Sequence, residues 1–104
     1  MLKRIIVSPV SDSVRDVVTW PLGFASPGET ITCKASGNPE PSFEWQWEEN
    51  DEDDEWMDVP DETSETIEAF LYNGTSIKLR CVAKNSFRDI EYSAYSRKIL
   101  QLPK

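Results

Sequence analysis

An all-β fold is what this sequence of 104 residues predicts. Three observations carry that expectation. Seven Pro are scattered so that few windows could hold an uninterrupted helix. Between them, runs rich in Val, Ile, Thr, Trp, Phe and Tyr alternate apolar and polar residues with period two, the mark of a half-buried strand. The two Cys fall on the apolar sides of two such runs. The length fits one domain, residues 1–104, and leaves no room for a second independent core.

The elements follow in order. From Glu29, Ile31, Cys33 and Ala35 share one face and Thr30, Thr32 and Lys34 the other, with Ser36-Gly37-Asn38-Pro39 as the closing turn. From Ser42, Phe43, Trp45 and Trp47 face one way and Glu44, Gln46 and Glu48 the other. Trp56 to Val59 reads as a short edge strand ended by Pro60. Ser64 to Leu71 sets Ile67, Ala69 and Leu71 against Glu68 and Phe70, and Tyr72-Asn73-Gly74-Thr75 is a turn. The next strand turns Ile77, Leu79, Cys81 and Ala83 inward and Lys78, Arg80, Val82 and Lys84 outward. Asn85 to Asp89 then turns the chain into a last strand from Ile90 to Leu102. Trp20, in the long segment before Cys33, is expected to plug an end of the sandwich, with an exposed position as the alternative.

Charge narrows the function. The net charge is −8, and residues 48–62 hold ten carboxylates with no basic residue, leaving nine acidic against eleven basic residues elsewhere. An acidic chain of this kind is a poor match for a phosphate backbone, so no nucleic-acid partner is expected. The acidic block repels itself and is expected as a solvated surface loop. Its field would steer a basic partner surface, acting on association rate more than on affinity. It lacks the turn glycine and spaced ligands of a calcium loop, so no metal is assigned. The absence of His removes the commonest general base and metal ligand, and two Cys cannot complete a zinc site alone. No catalytic residue and no cofactor are expected. No apolar run reaches the length of a membrane span, and the apolar part of Met1 to Ser8 is too short for a secretory leader.

Cys33 and Cys81 lie 48 positions apart, each flanked two residues away by apolar partners on its own strand. That placement suits a bridge between sheets, and with it an oxidising compartment. Two buried free thiols in a cytosolic domain are the alternative.

Cys33, the run Gly37-Asn38-Pro39-Glu40-Pro41-Ser42-Phe43-Glu44-Trp45, and Cys81-Val82-Ala83-Lys84-Asn85 together resemble an immunoglobulin-like domain of the intermediate set. The resemblance covers nearly the whole chain. It implies an immunoglobulin-like β-sandwich of two antiparallel sheets packed face to face, a Cys33–Cys81 disulfide between them, and Trp45 as the core tryptophan packed on it. Two departures stand out. Leu79 replaces the tyrosine that commonly ties down the corner before the second Cys, so the corner must be held otherwise, and the segment from Pro9 to Cys33 is long.

The family implies a non-catalytic extracellular module of a cell-surface adhesion or guidance receptor, similar to those of nephrin-like and neuronal receptors. Such a module recognises another receptor or spaces neighbouring domains of its own chain. Arg80, Val82, Lys84, Phe87 and Arg88 are the expected contact residues, since Arg and aromatic side chains dominate interface energetics. Asn73-Gly74-Thr75 fits the N-glycosylation rule, while Asn-Gly also serves a hairpin turn with no glycan. The alternative function is a tension-bearing cytosolic domain of the same set. An enzyme built on a carboxylate pair is disfavoured, because open, hydrated carboxylates lack the burial that tunes an acid.

Overall fold

A computed structural model of the chain describes residues 11–49, 55–72 and 74–101, and within them it is an immunoglobulin-like β-sandwich without a helix. The strands are β1 (Asp12–Trp20), β2 (Phe24–Ala25), β3 (Thr30–Asn38), β4 (Ser42–Glu49), β5 (Met57–Asp58), β6 (Thr66–Glu68), β7 (Ile77–Phe87), β8 (Ile90–Tyr95) and β9 (Ile99–Gln101). One sheet has the order β1-β3-β6; the other runs β2-β9-β7-β4-β5, with β8 also paired to β7. Every pair is antiparallel except β2 with β9, where the chain crosses from the first sheet to the second.

The long alternating runs of β3, β4 and β7 fill the space between the sheets. Ile31, Cys33, Trp45, Ile77, Leu79, Cys81 and Ile99 are fully buried in one cluster. Cys33 and Cys81 form the disulfide that joins the sheets, with a Cα–Cα distance of 6.4 Å. Trp45 pairs in register with Cys81, and its Nε1–H donates to the Ser64 carbonyl at 2.9 Å. A buried indole N–H needs such a partner, and this one ties the six-stranded sheet to the approach of β6.

Asn85 closes the opposite end. Its Oδ1 accepts from the Val14 N–H at 3.1 Å, and its Nδ2 donates to the carbonyls of Asp12 (2.8 Å) and Pro39 (3.0 Å). One side chain of β7 thus fastens β1 and the β3–β4 turn across the sandwich. Gly37 makes room for it: a Cβ there would lie 2.9 Å from Asn85 Nδ2 and 3.2 Å from the Val14 Cα. Replacing Asn85 with Ala would strand three backbone groups in a largely buried setting. The expected loss is about 2–3 kcal/mol in urea unfolding, at the cost usual for orphaned polar groups; an unchanged midpoint would show the knot to be unimportant.

Several elements differ from the sequence expectation, each for a physical reason. β3 runs on to Asn38, because β1 extends the ladder by pairing Arg15 with Ser36 and Asp12 with Asn38. Trp20 is 54% exposed rather than a plug. Register shifts on either side of Arg15, with Asp16 at φ +53°, reset the alternation of β1, so that Thr19 turns inward and Trp20 outward. β6 is only three residues long; beyond it Phe70 leaves the face opposite Ile67 and packs on the core. The chain reverses after β7 through Arg88 and Asp89 alone, both at positive φ, a tighter turn than the five-residue one expected. The last strand is interrupted at Ser96, whose hydroxyl accepts the Cys81 N–H at 2.8 Å in place of a ladder carbonyl. Leu102 lies outside the described residues.

The corner that lacks the tyrosine is held by other aromatics. Tyr72 and Thr75 exchange two backbone hydrogen bonds, 3.1 and 2.8 Å, and Gly74 before Thr75 takes φ +73°. Tyr72 lies 4.7 Å from Trp47, which meets Phe70 edge-on at 6.4 Å. Trp47 is thus half-buried at the rim of the core.

Candidate protein-recognition face

The outward face of the six-stranded sheet is built by register. Gln46 of β4 stands between Asp58 of β5 and Arg80 of β7, and Val82 stands between Glu44 of β4 and Tyr95 of β8. The side chains of each row therefore meet across the strands.

Arg80 sits at the centre. Its Nε and Nη2 donate to Gln46 Oε1 at 2.9 and 2.7 Å, while Gln46 Nε2 donates to Asp58 Oδ1 at 3.1 Å. The guanidinium lies between two rings, 4.1 Å from Trp56 and 4.0 Å from Tyr95. Stacking of this kind suits the flat, weakly hydrated guanidinium and would not suit a lysine. Burial lowers the Arg80 pKa, with Tyr95 and Glu48 opposing the shift, and the group stays charged at physiological pH. Tyr95 is 53% exposed, so the stack is ordered yet open to a partner.

Ion pairs frame it. Lys84 Nζ is 3.1 Å from Glu44 and 4.0 Å from Glu91, and the Glu44 hydrogen bond raises the Lys84 pKa. Lys98 Nζ is 3.3 Å from Glu48 and 5.6 Å from the Trp56 ring. With Lys78 beside Glu48, these four cations meet the carboxylates of Glu44, Glu48, Asp58 and Glu91 in equal number. Among the described residues these rows balance in charge, on a chain of net charge −8.

The expected contact residues divide. Arg80 and Lys84 lie on this face. Val82 does not offer a contact surface: it is 1% exposed, enclosed in its row between Glu44 and Tyr95, and the assignment is corrected accordingly. Phe87 is half-buried, stacked on Tyr92 at 4.7 Å, and Arg88 is exposed in the adjoining turn. Both sit about 23 Å or more along β7 from Arg80 at the usual rise per residue, so they belong to a separate tip. Glu48, expected in a solvated stretch, is 2% exposed, with its Oε1 toward Lys98 and its Oε2 without a protein partner among the described residues. Asn73 and residues 50–54 of the acidic run lie outside the described residues.

Sequence reading missed the importance of Trp56 and Tyr95. Trp56 is an aromatic residue inside an acidic run, a signal that something there packs. Among the described residues, no three Cys, Asp or Glu side chains are grouped as a metal site would require. Comparisons with protein-family models, with curated proteins and with solved structures gave no match to this chain.

Proposed function

We propose that the chain is a non-catalytic recognition module, an immunoglobulin-like domain of the intermediate set from the extracellular part of a cell-surface adhesion or guidance receptor. Its partner is another cell-surface protein, met by the outward face of the six-stranded sheet. In this reading Asn73 is the glycan acceptor, and the Cys33–Cys81 bridge fits the oxidising compartment. The module keeps its shape and does no chemistry.

The observation that carries the reading is the Trp56–Arg80–Tyr95 stack. Arg and aromatic residues held rigid at the middle of a face are the usual composition of a binding hot spot, and little side-chain freedom is left to lose on contact. The test compares partner binding by the parent ectodomain, by the same ectodomain with this module deleted, and by Arg80→Ala and Tyr95→Ala versions. Each substitution is expected to weaken binding about tenfold or more, at the 1–2 kcal/mol scale of hot-spot truncations, without altering the fold. Full binding by the deletion would contradict recognition and leave a spacer.

A further inference from the structure

Among the described residues, no strand fills the flank of the sandwich between β5 and β6. A cleft of about 490 Å³ lies against β6, bounded by Val59, Glu62, Ile67, Glu68 and Phe70 among others. A smaller one of about 200 Å³ continues it past Asp58 and Asp61, with Val59 and Glu62 as shared walls. Among the described residues, five carboxylates line the two clefts and no Lys or Arg does; Glu44 is held by Lys84 and Asp58 by Gln46, which leaves Asp61, Glu62 and Glu68 to set the charge of the cleft.

Among the described residues, β6 is the edge of its sheet, paired with β3 alone. The Cys33 N–H donates to the Glu65 carbonyl and the Ala69 N–H to the Glu29 carbonyl, so the odd-numbered residues of this segment carry the bonds toward β3. By antiparallel alternation, the backbone groups of Thr66 and Glu68 point the other way, toward the open flank. Ser64 Oγ takes the Thr66 N–H at 3.3 Å. The Thr66 carbonyl and both backbone groups of Glu68 are left facing outward.

From this juxtaposition we infer that the β6 edge and its cleft form a docking site for a basic, extended peptide segment of a partner protein, bound as an added strand. Residues directly opposite one another in an antiparallel pair share a face. A lysine of the peptide therefore sits beside Glu68, and the apolar residues on either side of it enter the cleft on Val59 and Phe70. The carboxylates select for positive charge and repel an acidic segment, including the acidic run of a second copy. The site shares Glu44 and Asp58 with the recognition face but not the Arg80 stack, and Glu62 and Glu68, which belong to the cleft alone, test it separately.

The test uses the intact, oxidised chain and a ten-residue peptide alternating lysine and valine. Titration followed by backbone amide resonances is expected to shift signals within residues 59–70, and bound peptide is expected to slow hydrogen exchange at the Glu68 amide. A peptide methylated on the lysine backbone nitrogens, which face β6 in this pairing, should lose about tenfold or more in affinity, whereas methylation of the valine nitrogens should be tolerated. The Glu62→Gln, Glu68→Gln double variant should bind about fivefold more weakly with its unfolding midpoint unchanged. Equal affinity of the two methylated peptides would overturn strand addition. So would shifts centred on Arg80 and Tyr95, absence of saturation at millimolar peptide, or self-pairing of the chain through β6.

Discussion

Replacing Cys33 and Cys81 together with Ala is expected to lower stability by about 4 kcal/mol, the loop-closure entropy released when a 48-residue crosslink is removed from the unfolded chain. That is a large fraction of the 5–15 kcal/mol typical of a small domain, and it corresponds to a fall in Tm of about 15–30 °C at this size. The effect acts mainly through the unfolded state, which becomes more expanded without the bridge. The urea dependence of unfolding should therefore steepen in the variant. Urea titrations of oxidised wild type and variant measure both quantities. A variant as stable as the wild type would mean that strand pairing and the buried cluster hold the sandwich unaided.

Removal of the Trp45 side chain should cost about 4 kcal/mol, within the range for emptying a large aromatic site in a close-packed core. Its neighbours offer little to fill the space: Cys81 is fixed by the bridge, and Ile31, Ile67 and Leu79 belong to strands whose positions are set by their ladders. Trp45→Phe separates packing from polarity. It keeps much of the volume while stranding the Ser64 carbonyl that accepts the indole N–H, so about 2 kcal/mol is expected. Equal losses for the Ala and Phe variants would place all of the energy in the hydrogen bond and none in the packing.

These three residues were legible because β3, β4 and β7 are long, unbroken alternations. In each, the period-two pattern alone decides which side chains turn inward, and Cys33, Trp45 and Cys81 take the places it assigns. The pattern failed where the backbone leaves its period. In β1 the register shifts around Arg15 reverse the phase before Trp20 is reached. At the end of β6 the short strand gives way to the Tyr72 corner, and Phe70 is free to turn toward Trp47.

The proposed recognition face was half legible, for a different reason. Alternation placed Gln46, Arg80 and Lys84 on one surface, yet it could not bring in Trp56 and Tyr95, which come from separate segments and meet only over the Arg80 guanidinium. Nor could it foresee that outward residues are themselves covered. Glu48 is buried against Lys98, fifty positions later in the chain, and Val82 is enclosed by its row. The β6 flank was invisible for a related reason. An edge is defined by which strand is missing beside it, a property of topology that no single run of residues records.

Peptide mapping of the chain purified from a secretory host, alkylated under denaturing, non-reducing conditions, decides whether the sheets are joined by the bridge. The account predicts a single crosslinked fragment containing Cys33 and Cys81, with no alkylated cysteine and release of both peptides on reduction. Two alkylated cysteines in the untreated protein would contradict it, removing the staple between the sheets and, with it, the argument for an extracellular module.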